Sequence, residues 1–308
     1  MNKSIKILGL IAIIMISSLL IFATKTTDSE NVKVVNVSDK NTSESYQIKA
    51  LKIPTELKFS GEHVPIEKDD IKERIDRELL VNTYWQSNGL LLIKRTHKYF
   101  PIIEPILEKN GIPDDFKYLA VIESGLQNVT SPAGAKGFWQ IMEATGKENG
   151  LEINSNVDER YHLEKATQVA CDYLLAAKDR FGSWTLAAAA YNAGNAGIAR
   201  KIETQKVTNY YELLLGEETQ RYVPRMVALK EILTNPDKYG FIFEKEDLYK
   251  LEPSKIIEVD TIITDIALFS KGLGINYKTL KLHNPWLREN KLNNTSRKLY
   301  QIKIPTDI

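Results

Sequence analysis

The chain has 308 residues, of which 43% are hydrophobic and 26% are charged, enough for one sizeable core and a smaller second unit. Its 41 basic and 40 acidic side chains give a formal net charge of +1, which argues against a nucleic-acid partner. The single cysteine, Cys171, excludes an internal disulfide, and its apolar helical surroundings predict a buried thiol.

Residues 1–24 form an apolar N-terminal segment in which Lys3 and Lys6 precede the run from Ile7 to Ala23. This pattern is typical of an export signal, and its length also suits an uncleaved membrane anchor. Both alternatives stay open because no clear cleavage site follows the run. No cysteine follows it either, which argues against a lipoprotein anchor. We therefore expect the rest of the chain to work outside the cytoplasm.

Residues 25–68 are polar and show little periodicity, which predicts a tether. Residues 69–109 have apolar side chains at helical spacing and are predicted to form a helical lead-in. Pro101 and Pro105 lie in this lead-in, and each is expected to kink or restart the helix because proline lacks the backbone donor. The absence of strand-like alternation between residues 69 and 235 predicts an all-α domain.

A glutamate interrupts the apolar face of the next predicted helix. Phe116, Leu119 and Ala120 recur at helical spacing, and Glu123 is the next position on that face. Gly125 is a typical helix stop, which places Glu123 in the last turn. Burial and the carbonyl dipoles of the helix end both disfavour the anion, so we expect a raised pKa, as a general acid requires. The alternative is a glutamate that hydrogen-bonds the following loop.

Two further regions place polar groups beside apolar ones. The Gly-rich loop after this helix carries Gln140 next to two aromatic residues, an arrangement that suits a polymeric substrate. Residues 186–190 are apolar all round, which predicts a central helix, and Tyr191 and Asn192 follow at its end. Taken singly, the asparagine also suits a helix cap and the tyrosine a packing role.

The chain from about Leu251 onward has a different pattern. Ile256, Ile257 and Val259 predict a short strand, two short helical segments follow, and the alternating "KLYQIKIP" predicts a closing strand. The sequence therefore predicts a small β-α-α-β unit after the all-α domain.

Four motifs occur in order along the chain: "IESGL", "GAKGFWQIM", "AAAYNAG" and "EETQRYVPRMVAL". Together they resemble the catalytic domain of the soluble-type lytic murein transglycosylases, and the flanking segments are most similar to the membrane-bound lytic transglycosylase D subgroup. The resemblance implies a mainly α fold, with a lysozyme-like all-α transglycosylase domain at residues 110–240. The unit at residues 251–308 resembles a LysM module, a β-α-α-β fold that binds N-acetylglucosamine-containing glycans.

The resemblance also implies roles for single residues. Glu123 would be the catalytic acid and base, cleaving the bond between N-acetylmuramic acid and N-acetylglucosamine without water, to give a 1,6-anhydro sugar with no metal or cofactor. The residues that would bind the glycan or complete the site are Ser124, Gln140, Met142, Tyr191, Asn192, Glu218 and Tyr222. Peptidoglycan glycan strands in the bacterial cell envelope or periplasm would be the partner, together with the inner membrane if the N-terminal segment stays uncleaved.

Two other classes of function stay open. A hydrolytic lysozyme of related fold would need a second carboxylate to activate water, and Asp158 and Glu143 are better explained as solvated or capping residues. A non-catalytic cell-wall binder would keep Glu123 without using it. The LysM-like unit is either a glycan anchor or a stabilising appendage. As an anchor, its removal would leave turnover of soluble fragments intact.

Overall fold

The computed structural model describes residues 48–306, and helices dominate this part of the chain. The eight helices of the first part are α1 (Asp69–Tyr84), α2 (Gln86–Lys109), α3 (Lys117–Ser124), α4 (Glu143–Glu148), α5 (Leu163–Phe181), α6 (Trp184–Ala193), α7 (Asn195–Gln205) and α8 (Glu217–Thr234). The strands and the last two α-helices are β1 (Lys58–Phe59), β2 (Glu62–His63), β3 (Ser254–Val259), α9 (Ile266–Gly272), α10 (Tyr277–His283) and β4 (Tyr300–Pro305). The predicted mainly α fold class is confirmed.

The predicted export segment and the first part of the predicted tether lie outside the described residues. Within residues 48–306, none of the helices combines the length and the apolar character that crossing a membrane requires.

Helix α6 lies in the hydrophobic core, as its sequence predicts. Its residues Leu186–Ala190 are fully buried, and it packs against α5 and α8. The small alanine side chains allow these neighbours to approach closely. Cys171, on α5, is also fully buried, and burial raises the pKa of its thiol to about 12. The expected buried thiol is confirmed.

Part of the predicted tether belongs to the folded core instead. Strands β1 and β2 form a short antiparallel hairpin, and Leu57, Phe59 and Val64 are buried. The carboxylate of Glu62 accepts hydrogen bonds from the backbone N–H and the hydroxyl of Thr185, at 3.1 and 2.7 Å, at the start of α6. The tether prediction is wrong for this segment, because its few apolar residues acquire partners only from distant parts of the chain.

The predicted restart of the helix at two prolines is wrong, because α2 runs through both of them. Pro101 and Pro105 lie one turn apart on the exposed side of the helix. Each removes one backbone donor, but the carbonyl groups left without it are on the solvent side, where they are accessible to water. The opposite side buries Ile103 and Leu107, and their packing keeps the helix continuous.

Helix α3, which carries Glu123, is short and has the predicted end. A 3-10 turn at Asp114–Phe116 precedes it, and Pro113 caps this turn. Gly125 ends the helix with φ 60°, in the left-handed region that glycine adopts with least strain. The buried run 118–121 holds α3 against the core.

The predicted β-α-α-β unit is present at the C-terminal end of the described chain. Strands β3 and β4 pair in antiparallel register, with Ile257 opposite Ile302, and α9 and α10 lie between them in sequence. The hydrophobic core of this unit includes Val157 and Tyr161, which come from the loop between α4 and α5. The unit therefore shares its core with the helical part of the fold.

Candidate active site

Glu123 is half-buried, and the hydroxyl of Tyr222 on α8 donates a hydrogen bond to its Oε1. Burial is the main cause that raises the pKa of Glu123. The hydrogen bond from Tyr222 and the charge of Arg225 oppose this rise, whereas the negative charge of Glu218 adds to it. The direction agrees with the expectation from the sequence, and burial is the leading cause.

Ser124 is turned into the protein, where it connects α3 to the loop that follows. Its hydroxyl lies 2.9 Å from the carbonyl oxygen of Phe138 and 3.1 Å from that of Ala120. The same hydroxyl accepts a hydrogen bond from the backbone N–H of Gln127 at 3.3 Å. Because Ser124 is only 9% exposed, these contacts suit a residue that holds the loop in place. A direct contact with substrate stays a prediction.

The loop between α3 and α4 holds Gln140 in a conformation that is uncommon for a glutamine, with φ 48°. Its Nε2 donates to the carbonyl oxygens of Gly137 and Val129, at 2.8 and 3.2 Å. Such strained residues are often found at functional sites, where the surrounding structure imposes the conformation. Met142 follows the loop and is 45% exposed, so its side chain is open to solvent or to a ligand.

The end of α6 connects this loop to α8. The hydroxyl of Tyr191 donates to the carbonyl oxygen of Trp139 at 2.8 Å. Burial raises the pKa of Tyr191, and the charge of Glu123 raises it further, so the tyrosine lies within the electrostatic field of the glutamate. Asn192 accepts a hydrogen bond from the hydroxyl of Thr219 at 2.8 Å, in the first turn of α8.

Glu218, Tyr222 and Arg225 lie on one face of α8, four and three residues apart. The Nη1 and Nη2 atoms of Arg225 donate to the two carboxylate oxygens of Glu218, at 3.0 and 3.4 Å. The Glu218 side chain is 59% exposed, whereas that of Arg225 is 19% exposed. Arg225 was not among the site residues predicted from the sequence, although its helical spacing from Tyr222 places it on the face of the site.

This arrangement can perform general acid–base chemistry. A carboxyl group that keeps its proton more readily than an exposed glutamate can donate that proton and later take one back. Glu218, the other carboxylate that acts on Glu123, is paired with an arginine. In residues 48–306, no three His, Cys, Asp or Glu side chains are grouped so that they could hold a metal ion.

Replacing Tyr222 by phenylalanine tests the contact with Glu123. The Tyr222→Phe variant loses the hydrogen bond that lowers the pKa of Glu123. We therefore expect the alkaline limit of activity to move to higher pH. We also expect kcat to fall about 10- to 100-fold, because the carboxyl group is less well oriented. The pH dependence of kcat and kcat/KM is the measurement.

Tyr239→Phe is a matched control, because Tyr239 donates to the carboxylate of Glu231 at 3.1 Å, away from Glu123. This variant is expected to keep the parent's kcat and pH profile. An unchanged pH profile in Tyr222→Phe would show that its hydroxyl does not influence the reacting carboxyl group.

Profiles of two protein families match the sequence. The transglycosylase SLT domain matches residues 100–214, and the soluble lytic transglycosylase C-terminal LysM-like domain matches residues 255–308. Membrane-bound lytic murein transglycosylase D of Escherichia coli K12 is 31% identical over 228 residues, which are 71% of this chain and 48% of that protein. The same protein from E. coli O6:H1 gives the same values. The chain thus spans about half the length of the curated relatives it matches.

Two solved structures show partial similarity. The 70 kDa soluble lytic transglycosylase of E. coli has a TM-score of 0.39 and 22% identity, covering 48% of this chain and 26% of that one. An inactive mutant of the lytic transglycosylase Slt from Pseudomonas aeruginosa has a TM-score of 0.36 and 18% identity, covering 50% and 26%.

Residues 100–214 are thus an SLT domain, and a LysM-like domain follows it. The chain is thus similar to lytic murein transglycosylases, among them the membrane-bound transglycosylase D proteins of E. coli.

Proposed function

We propose that this protein is a peptidoglycan lytic transglycosylase, which cleaves between N-acetylmuramic acid and N-acetylglucosamine without water and leaves a 1,6-anhydro end. The observation that carries the proposal is Glu123, a half-buried carboxyl group with a raised pKa and a hydrogen bond from Tyr222. The SLT domain around it, and relatives named lytic murein transglycosylases, support the same reaction.

In the proposed reaction Glu123 acts twice. The protonated carboxyl group gives its proton to the glycosidic oxygen, the bond from that oxygen to C1 breaks, and the leaving sugar keeps the proton. The N-acetyl oxygen of the muramic acid supports the cationic C1. The carboxylate then takes the proton of the 6-hydroxyl, whose oxygen bonds to C1 and closes the anhydro ring. Glu123 ends protonated again, and no water is consumed.

The other site residues orient Glu123 or bind the glycan in this proposal. Tyr222 orients the Glu123 carboxyl group, and Ser124 and Tyr191 hold the loop that carries Gln140. The proposed contacts with the glycan strand are Gln140, Met142, Asn192 and Glu218. Their predicted roles in binding rest on the family resemblance and on their positions around Glu123.

A hydrolytic muramidase is the second candidate, and the charges near Glu123 favour it less. Activating a water molecule requires a free carboxylate beside the scissile bond. Glu218 acts on Glu123 through its charge, but Arg225 pairs with both of its oxygens. Both of its oxygens thus already accept hydrogen bonds from the guanidinium, which leaves them less available to a water molecule.

Mass spectrometry of digested peptidoglycan tests the proposal. An anhydro product is lighter by one water than the hydrolytic product with the same peptide stem. Digestion in ¹⁸O-labelled water adds a second readout, because only hydrolysis places the label on the new sugar end. Unlabelled anhydro products support the proposal, labelled products indicate a muramidase, and binding to sacculi without any product indicates a non-catalytic binder.

We further propose that the LysM-like domain stabilises the catalytic domain and is not a separate glycan anchor. Its Trp286 is only 4% exposed and stacks on Tyr300, with ring centroids 5.6 Å apart. On the catalytic side, the ring of His162 lies 6.1 Å from that of Trp286, and the Trp286 carbonyl oxygen accepts from the N–H of Asp158 at 2.9 Å. These contacts cover the tryptophan, so it offers little surface on which a sugar could stack.

Removing residues 251–308 is therefore expected to destabilise the catalytic domain, contrary to the expectation for an independent anchor. The deletion exposes Val157 and Tyr161 and removes the contacts of Glu152 with Lys298. Each large apolar side chain that loses its burial costs about 1.5–3 kcal/mol. We expect a lower melting temperature and a loss of turnover on soluble fragments as well as on sacculi, measured by thermal denaturation and product release.

Arg297→Ala is a suitable control for this deletion, because Arg297 forms an exposed ion pair with Asp260 inside the LysM-like domain. Such exposed pairs contribute little to stability, so the Arg297→Ala variant is expected to melt at the same temperature as the parent. A deletion variant with the same melting temperature as the parent would contradict the proposed stabilising role.

We propose the bacterial cell envelope as the place of action, because peptidoglycan is the proposed substrate. The pattern of residues 1–24 supports export or an inner-membrane anchor, and the E. coli relatives are named membrane-bound. Fusion of residues 1–47 to a reporter that is active only outside the cytoplasm tests export. Extraction of the fusion from membranes then distinguishes a retained anchor from a cleaved signal.

A further inference from the structure

Glu78 is a buried carboxylate near the middle of α1, outside the residues that match the SLT domain. Its side chain is 1% exposed, and guanidinium nitrogens of three arginines approach it. Nη1 of Arg77 and Nε of Arg221 each donate at 2.7 Å, and Nε of Arg225 lies 3.5 Å away. A charge this deeply buried is tolerated only when it is paired and hydrogen-bonded, so Glu78 and its arginines form one unit.

Two of these arginines lie on either side of a site residue in the sequence. Arg221 and Arg225 are one turn apart on α8, and Tyr222 lies between them, 2% exposed, with its hydroxyl on Glu123. Arg225 also reaches Glu218 through its other two nitrogens. Glu78 is thus the point at which α1 holds the turn of α8 that contacts Glu123.

We propose that Glu78 is a positioning residue for the reaction: by holding Arg221 and Arg225, it sets where the Tyr222 hydroxyl meets Glu123. The proposal rests on the transglycosylase function proposed above. Fixing two guanidinium groups one turn apart restrains the rotation of α8 about its axis. A small rotation there would move the Tyr222 hydroxyl away from the carboxyl group, and misplacement by about 1 Å can cost about 100-fold in rate.

The charges around Glu123 make this role measurable. Glu218, Arg225 and Tyr222 act on Glu123 from α8, and Tyr191 is coupled to it from α6. The charge of Arg225 lowers the pKa of Glu123. The hydrogen bond from Tyr222 lowers this pKa more than the charge of Arg225 does, so a displaced Tyr222 hydroxyl in Glu78→Gln is expected to raise the pKa of Glu123, as in Tyr222→Phe. A residue that only stabilises the packing of α1 against α8 would not change the pKa of Glu123 in a variant that still folds.

The test compares Glu78→Gln with Glu217→Gln in the full chain. Glu217 contacts the same Arg221, at 3.5 Å, but its side chain is 83% exposed, so it is a matched control for losing one carboxylate. In Glu78→Gln we expect kcat to fall about 10- to 100-fold, little change in KM, and an alkaline limit of activity at higher pH. Glu217→Gln is expected to keep the parent's values.

A second readout does not depend on activity. The titration of the Glu123 carboxyl carbon is followed by NMR of ¹³C-labelled glutamate, assigned by comparison with Glu123→Gln. A higher titration midpoint in Glu78→Gln supports the proposal even if the parent releases no anhydro product, an outcome that would overturn only the proposed function. If Glu78→Gln does not fold, Arg221→Lys replaces it as the test, because lysine keeps the charge but loosens the contact with Glu78. This variant is also expected to have a lower kcat than the parent. A folded variant with unchanged kcat and unchanged Glu123 titration overturns the proposal.

Discussion

Glu123→Gln is expected to fold normally and to release no detectable anhydromuropeptides. Glutamine fills the same space and can still accept the hydrogen bond from Tyr222, but it cannot give a proton to the glycosidic oxygen or take one from the 6-hydroxyl. Loss of a general acid and base costs about 10²- to 10⁴-fold in rate. Product release from purified peptidoglycan, followed by mass spectrometry, is the measurement.

Glu143→Gln is the control for this variant. Glu143 is an exposed carboxylate at the start of α4, paired with Lys147 at 2.6 Å, and it is one of the acidic residues weighed above as a second catalytic group. Its replacement is expected to leave activity unchanged. Comparable activity in Glu123→Gln and the parent would remove Glu123 from the reaction.

The stability of Glu123→Gln gives an independent check on the protonation state. The raised pKa means that the native state binds this proton more tightly than the unfolded chain does. The stabilising contribution of Glu123 is therefore fully present below the unfolded-chain pKa of about 4.3 and is lost as pH rises through the higher native pKa. Glutamine resembles the protonated form, so the variant should be at least as stable as the parent at neutral pH. A variant that melts well below the parent there would indicate an ionised, structurally paired carboxylate.

Gly137→Ala is expected to cause the largest loss of stability among the loop substitutions. Gly137 has φ 79°, and an added Cβ would lie 2.1 Å from the carbonyl oxygen of Arg160. Backbone atoms cannot move aside as a flexible side chain can, so the overlap and the positive φ together cost about 3–5 kcal/mol. The loop also carries Gln140 and the carbonyl groups that hold Ser124 and Tyr191, so activity should fall with stability.

Gly134→Ala separates the effect of the positive φ from the effect of the overlap with the backbone. Gly134 has φ 88°, but an added Cβ would meet no heavy atom within 4 Å. Only the positive φ is then penalised, at about 1–2 kcal/mol. Urea unfolding of both variants measures the difference in unfolding free energy. Equal losses in the two variants would show that the contact with Arg160 is relieved by a shift of the loop.

Structural elements that are determined by residues close together in the chain were predicted from the sequence. Gly125 ended the helix of Glu123 where expected, the run 186–190 formed a buried helix, and the strand and helix patterns gave the C-terminal β-α-α-β unit. The direction of the Glu123 pKa also followed from its place on an apolar helix face. In each case a residue type and its spacing determine the outcome, and no distant partner has to be known.

The features that were missed depend on residues far apart in the chain. Arg225 has the right spacing on α8, but its importance comes from its contact with Glu78 and from its effect on Glu123. The continuation of α2 through its prolines depends on which side faces solvent, and the shared core of the LysM-like domain depends on Val157 and Tyr161. Periodicity in one segment contains no information about such partners.

The hairpin of β1 and β2 has a consequence for the order of folding. Glu62 binds the start of α6 at Thr185, 123 residues later, and the ring of Phe59 contacts that of Phe116, which in turn contacts Trp184. Contacts between distant residues form late, because closing a long loop costs chain entropy before any contact repays it. A nascent chain that ends before α6 therefore lacks the partners of its own first strands.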